Sequence, residues 1–416
     1  MSLPAIKSEV NKTVLQNGLT IVSEHIPAYR SVAVGVWVKV GSRYEKNHQK
    51  GIVHFIEHML FKGTENRTAF EIAQSLEKYV GQLNAFTGKE ETCFYIHTLD
   101  THLESGLEIL ADMLCNPLFS TQDIELEKQV VLEEMSAVRD TPEEYIFDLF
   151  QEKCYPDQPM GFPILGDKET VKAFSQADLY GFWKNYYFPG NLVIAVAGNV
   201  DHQSLVEKAG QYFNMNSTFK ETEIIAASIS KSINYTFRDT INQAHICIGN
   251  EAVSYFNDDR FSLMALSAYL GGGLSAKLFQ VLREELGYVY SVYSFLDFYR
   301  DTGVFGFYMG TDVKNQKKAI KRLFEETEKL VQEGLSTDIV IILHEQLIGR
   351  FFLSMESTFK RMSRLAKNEL YYKEHIDPDT IIKSIKEITS ESIYKAAEKY
   401  LKTGDFNQVV IAPGKK

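Results

Sequence analysis

Residues 13–43, TVLQNGLTIVSEHIPAYRSVAVGVWVKVGSR, decide the fold class. Thr13–His25 alternates apolar and polar residues around Asn17-Gly18, the pair a tight hairpin turn prefers, and the run from Ser31 is rich in β-branched residues. Helical periodicity follows over His48 to Gly63 and Ala69 to Val80, then two strand-like stretches, LNAFTG and TCFYIHTL. Two long helical stretches, near Thr101 to Cys115 and Ser120 to Arg139, lead to the apolar strand NLVIAVAGNV at Asn191 to Val200.

The second half repeats this order. A strand starts at Gln243 (QAHICIGNEAV) and a helix at Phe261 (FSLMALSAYL), strands run near Tyr290 to Tyr299 and Gly303 to Gly310, two long helical stretches follow, and NQVVIAP from Asn407 closes. A duplicated unit predicts an α+β protein of two homologous domains, each a mainly antiparallel sheet with helices packed on one face. The expected division is 1–214, a linker at 215–231 in a polar stretch of weak periodicity, and 232–416. A chain of 416 residues with 44% hydrophobic and 24% charged residues can build two cores without staples.

Within the first helical stretch stands His54-Phe55-Ile56-Glu57-His58. Residues four apart on a helix lie one turn above each other, so two imidazoles about 6 Å apart can offer a nitrogen each to one Zn²⁺. Glu57, on an adjacent part of that face, is placed to take a proton from a water in an open coordination position. This is the inverted HxxEH arrangement of a metallopeptidase, and the apolar neighbours Ile52, Val53, Phe55 and Ile56 point to a partly buried helix rather than a solvated one. A catalytic zinc needs a third protein ligand. In IELEKQVVLEEMSAVRD, Glu127 and Glu134 are two turns apart and share a face, whereas Glu133 points about 100° away; Glu134 as ligand with Glu127 as support is coherent. A long exposed helix is also expected to be Glu-rich, so the residues alone leave this choice open.

HFIEHMLFKGT at His54 to Thr64, together with Glu134, resembles the pitrilysin/insulinase (M16) family of zinc metallopeptidases, on the branch of mitochondrial processing peptidase and its bacterial relatives, and the likeness covers essentially the whole chain. The resemblance implies one Zn²⁺ per chain held by His54, His58 and Glu134, with Glu57 as catalytic base and Glu127 in support. LNAFTGKEETCFY resembles the family's edge strand, which implies that Asn84, Ala85 and Phe86 bind an extended peptide by main-chain pairing. In SAKLFQVLREELGYVYSVYSF, Arg283 and Tyr290 match an Arg/Tyr pair that contacts the substrate carbonyl from the non-zinc domain.

The second half carries no such metal set, since its counterpart of HFIEH reads FSLMALSAYL. The resemblance then implies an endopeptidase acting on peptides or unfolded presequence-like segments. It also implies association of two copies, the zinc domain of one facing the Arg283/Tyr290 domain of the other; the branch also contains heterodimers, but both sets on one chain favour a homodimer. The competing readings are a non-catalytic or partner-dependent scaffold subunit, and a metal hydrolase acting on something other than peptides.

Composition narrows the rest. A formal net charge of −11 argues against a general nucleic-acid surface and suits basic or unfolded peptide partners. Cys93, Cys115, Cys154 and Cys247 form no CxxC pair, which fits packing thiols in a reducing compartment. Gly271-Gly272-Gly273 lacks the spacing and Lys-Ser/Thr ending of a nucleotide loop. Neither a signal-like N-terminus nor a run of about 18 apolar residues is evident, so no membrane association and a cytoplasmic location are expected.

Overall fold

The computed structural model describes residues 8–77, 81–215, 224–238, 241–402 and 406–414. Two compact units divide the chain: Met1–Met135 with Pro163–Ile224 and Phe352–Ile376, and Ser136–Phe162 with Ile225–Phe351 and Asp377–Lys416.

Among the described residues, eleven strands form two sheets. In the first unit these are β1 (Glu9–Val14), β2 (Thr20–His25), β3 (Ser31–Val38), β4 (Gln82–Thr87), β5 (Thr92–Leu99) and β6 (Leu192–Gly198). In the second they are β7 (Ile233–Arg238), β8 (Ala244–Ala252), β9 (Val289–Phe298), β10 (Gly303–Thr311) and β11 (Asn407–Pro413). The first sheet runs β1-β2-β6-β3-β5-β4 and the second β7-β11-β8-β10-β9. Omitting β1, the orders are equivalent. Each sheet also has a single parallel pair at the matching place, β2 with β6 and β11 with β7, all other pairs being antiparallel. The internal duplication is therefore a duplication of topology. The hairpin at Asn17-Gly18 forms as expected, with Val14 opposite Thr20 and Gly18 at φ +89°.

Helices cover one face of each sheet, and a further helix covers the other. In β3 the valines Val32, Val34, Val36 and Val38 join the core with Ile52, Phe55, Ile56 and Leu110. The alternate residues Gly35 and Trp37 meet Met362 of helix Thr358–Tyr372, which packs on β2, β3 and β6. A Cβ at Gly35 would lie 2.7 Å from the Met362 sulfur, and the Trp37 indole N–H donates to that sulfur at 3.2 Å. Buried ion pairs fasten this layer. Glu24 accepts from Arg361 and Arg364, and Glu90 accepts from Arg43 at 2.6 Å and from the Tyr371 hydroxyl at 2.9 Å. The second unit does the same with helix Pro142–Cys154, whose Ile146, Phe150 and Cys154 pack with Cys247 of β8, Tyr308 of β10 and Ile411 of β11.

The contiguous division 1–214 and 232–416 is thus corrected: each unit includes a helix from the other half of the chain. The reason is that β3 and β6 are almost wholly buried, and a strand apolar at every position needs a cover on both faces. Of the expected linker, residues 216–223 lie outside the described residues; Ile225 already belongs to the second unit. All four cysteines are free, three of them fully buried.

Candidate metal centre

The helix that carries HxxEH is shorter than its periodicity suggests. It spans Ile52–Leu60, preceded by a 3₁₀ turn at Asn47–Gln49, rather than starting at His48. Gly51 stops it from extending back, with φ +88° and a Cβ position 2.5 Å from the Leu165 carbonyl oxygen, so only glycine fits. The buried backbone N–H groups at this end are taken by a side chain. Glu45, 2% exposed, accepts from the Gly51 N–H at 2.8 Å and the Val53 N–H at 3.0 Å. Burial pushes the Glu45 carboxyl up to about 8, while the N–H groups of Val53 and Gly51 and the charge of Lys89 pull it back. Sequence reading missed this residue, which stands in no periodic pattern.

One turn apart, the rings of His54 and His58 are 4.4 Å between centroids. Helix Thr121–Asp140 brings Glu134 to them: its Oε2 is 3.8 Å from His54 Nε2 and 3.7 Å from His58 Nε2. One donor atom from each of the three lies within 4.8 Å of the others. Glu134 Oε2 is buried and has no hydrogen-bond partner, although its side chain as a whole is 40% exposed. An orphaned carboxylate oxygen facing two imidazole nitrogens is the donor set a tetrahedral Zn²⁺ takes. Imidazole nitrogens and a carboxylate oxygen are donors that Zn²⁺ takes. The residues fit the metal.

Glu127, two turns before Glu134 and 3% exposed, binds the far side of His58. A carboxylate only accepts, so His58 Nδ1–H donates to Glu127 Oε1 at 2.8 Å, which leaves Nε2 as the lone-pair nitrogen turned toward Glu134. Lys62 contacts the other oxygen of Glu127 at 2.6 Å. These charges set the titration. Burial alone would lower His58, but the Glu127 hydrogen bond and the charges of Glu134, Glu127 and Glu57 raise it; burial likewise opposes the hydrogen bonds from His58 and Lys62 that hold Glu127 low. Burial, aided by the neighbouring His58, lowers His54 to about 3, and burial raises Glu134.

Glu57 lies beside this group. Burial raises its carboxyl, against the opposing pull of a hydrogen bond from Thr87 and of His58. The Thr87 hydroxyl donates to Glu57 Oε2. Thr87 ends β4, an edge strand of the sheet, which carries the expected peptide-binding residues. Asn84 is exposed, and its Oδ1 accepts from the Ala85 N–H at 2.8 Å; Ala85 packs on the core, and Phe86 stacks edge-on against Trp37 at 5.4 Å. Alternation along LNAFT could have flagged Thr87, because it places Leu83, Ala85 and Thr87 on one face. Arg283 and Tyr290 are carried by the second unit. Arg283 sits on the π-helical segment Phe279–Glu285, its guanidinium 4.9 Å from the Phe279 ring centroid and 3.9 Å from Glu284; Tyr290, on β9, is 57% exposed. Among the described residues no helix is long and apolar enough to cross a membrane.

Comparison with known proteins places these features in a family. Residues 20–168 match the model of insulinase, peptidase family M16, and residues 173–347 match the model described as the peptidase M16 inactive domain. A Bacillus subtilis (strain 168) protein named uncharacterized zinc protease YmxG is 35% identical over 404 residues, covering 97% of this chain and 98% of that protein. An uncharacterized zinc protease of Rickettsia felis is 34% identical, covering 95% of each chain. Two solved structures share the fold: a protease from Helicobacter pylori, with TM-score 0.90 at 23% identity over 98% of this chain and 100% of that one, and a peptidase M16 inactive domain from Pseudomonas fluorescens, with TM-score 0.91 at 18% identity over 98% of both. A two-unit α+β chain whose HxxEH helix meets a distant glutamate, and whose relatives along its whole length are named zinc proteases, belongs to the insulinase family of peptidases, family M16.

Proposed function

We propose that this chain is a zinc-dependent endopeptidase that cleaves peptides or unfolded presequence-like segments, with His54, His58 and Glu134 holding one Zn²⁺ and Glu57 moving the proton. The observation that carries the reading is the convergence of two imidazole nitrogens on the buried, unpartnered Oε2 of Glu134. His54, His58 and Glu134 would hold the zinc, which would supply a water acidic near neutral pH and a Lewis acid for the substrate carbonyl. Glu57 takes the proton of the attacking water on its carboxylate and returns it to the nitrogen of the leaving amine. Glu127 keeps His58 in the tautomer that presents Nε2. The place of β4 at the edge of its sheet, with β5 as its one strand partner among the described residues, supports strand addition by an extended peptide at Asn84, Ala85 and Phe86, since main-chain pairing is a bond every peptide can make. The exposed Arg283 and Tyr290 suit contacts to the substrate carbonyl. A homodimer and a cytoplasmic location belong to the same proposal.

The test is metal content, hydrolysis of an unstructured peptide library and mass in solution, for wild type and Glu57→Gln. One zinc per chain, chelator-sensitive cleavage, a dimeric mass and a variant that keeps zinc but loses nearly all turnover are expected. A Glu57→Gln protein as active as wild type refutes the role of Glu57, and absence of bound zinc refutes the centre. Zinc without cleavage by the protein alone supports the scaffold reading.

A further inference from the structure

We infer that Thr87 is a positioning residue, whose hydroxyl fixes the carboxylate of Glu57 and ties it to the end of the peptide-binding strand. The inference rests on the peptidase reading above. Glutamate has three rotatable side-chain bonds, and a helix alone does not decide where its carboxylate points. Here the Thr87 hydroxyl donates to Glu57 Oε2, and the strand partner of Thr87 and the turn after it are both tied to neighbouring chain.

It pairs with Thr92 across the β4–β5 hairpin, and Thr92, fully buried, donates its hydroxyl to the Val40 carbonyl at 2.8 Å. The turn that follows is closed by Gly88 N–H to the Glu91 carbonyl at 2.7 Å. It is docked by Ser42 N–H to the Gly88 carbonyl at 3.1 Å and Arg43 N–H to the Lys89 carbonyl at 2.9 Å. A Cβ at Gly41 would lie 2.4 Å from the Gly88 oxygen, so the two loops are in close backbone contact. The buried Arg43–Glu90 pair locks the same junction at 2.6 Å.

Thr87 is therefore anchored through its strand partner and the turn that follows it, whereas the Glu57 side chain has three rotatable bonds. The period of two along β4 sends Leu83, Ala85 and Thr87 toward helix Ile52–Leu60 and core, while Asn84 and Phe86 take the other face. One strand thus aligns the peptide through its open edge and the proton-transferring group through its last side chain. The register of the scissile bond and the place of Glu57 are set by the same six residues.

Thr87→Val keeps the β-branched shape that suits a strand and removes the hydroxyl; Thr87→Ser keeps the hydroxyl. For the zinc-loaded full chain, Thr87→Val is expected to lower kcat about tenfold, with KM, zinc content and Tm close to wild type, and Thr87→Ser to restore kcat to within about twofold. Crystals of zinc-loaded wild type and Thr87→Val supply a readout independent of turnover: the Glu57 carboxylate moves in the variant. Glu57 unmoved in the variant crystal overturns the inference whatever the rates, as does a Thr87→Val enzyme with wild-type kcat, or one that loses zinc or melts early while Thr87→Ser does not rescue it. If wild type cleaves no peptide, the peptidase reading falls, and the crystal comparison still decides for or against Thr87.

Discussion

Removing the carboxylate behind His58 is the sharpest test of the proposed metal centre, because Glu127 touches none of the proposed donor atoms yet should govern affinity. Glu127 is 3% exposed and its two oxygens are taken separately, Oε1 by His58 Nδ1–H at 2.8 Å and Oε2 by Lys62 at 2.6 Å. In Glu127→Ala, His58 loses the acceptor that fixes its ring and tautomer, while Lys62, 37% exposed, can turn its ammonium to water. Loss of such an outer partner of a metal-binding histidine costs about 10- to 100-fold in metal affinity, or about 1.4–2.7 kcal/mol. Glu127→Gln should lose less, since its amide oxygen can still accept from Nδ1–H. Lys62→Ala should lose least, being a half-exposed charge worth about 1 kcal/mol or under. Zinc affinity by competition with a chromogenic chelator measures all three, with circular dichroism and Tm confirming the fold. A Glu127→Ala protein that is folded and binds zinc within about threefold of wild type would refute the assignment, and so would a loss matching that of His58→Ala, which would make Glu127 itself a ligand.

Two other predictions concern the start of the same helix. Gly51→Ala places a Cβ 2.5 Å from the Leu165 oxygen at a residue with φ +88°, so destabilisation on the order of 2–4 kcal/mol with weakened zinc binding is expected in chemical denaturation; an unchanged midpoint would count against the helix-start geometry. Glu45 makes stability depend on pH with a definite sign. Its folded pKa of about 8 lies above its ordinary 4.5, so between these values the folded state holds a proton that the unfolded state has released. The stability it contributes is full below about pH 4.5 and is lost as pH rises toward about 8, by about 1.4 kcal/mol for each pH unit crossed. Glu45→Gln cannot release that proton, so its unfolding free energy should fall less than that of wild type between about pH 5 and pH 8; equal falls would show that Glu45 is ionised throughout the window.

Local spacing made much of this protein legible. HxxEH puts two imidazoles on one helix face whatever the helix packs against, and the seven-residue interval from Glu127 to Glu134 puts both on one stripe, because helix geometry repeats every 3.6 residues. The alternation around Asn17-Gly18 made the first hairpin readable, and the recurrence of strand and helix order revealed the duplication that the matching sheet orders display. The strand β7 and the helices at Pro142–Cys154 and Thr358–Tyr372 were not legible, since amphipathic pattern shows that a face is apolar but not which sheet it will cover.

The sequence by itself determined the chemistry on offer: two imidazoles on one helix face, a carboxyl beside them and a helix rich in candidate carboxylates. Only the tertiary structure decided which glutamate meets the imidazoles, that Glu45 accepts from the start of their helix and Thr87 donates to Glu57, and that each unit is completed by a helix from the other half. Those outcomes join residues far apart in sequence. They follow from burial on both faces of a sheet and from the need of buried polar groups for partners, neither of which leaves a periodic trace along the chain.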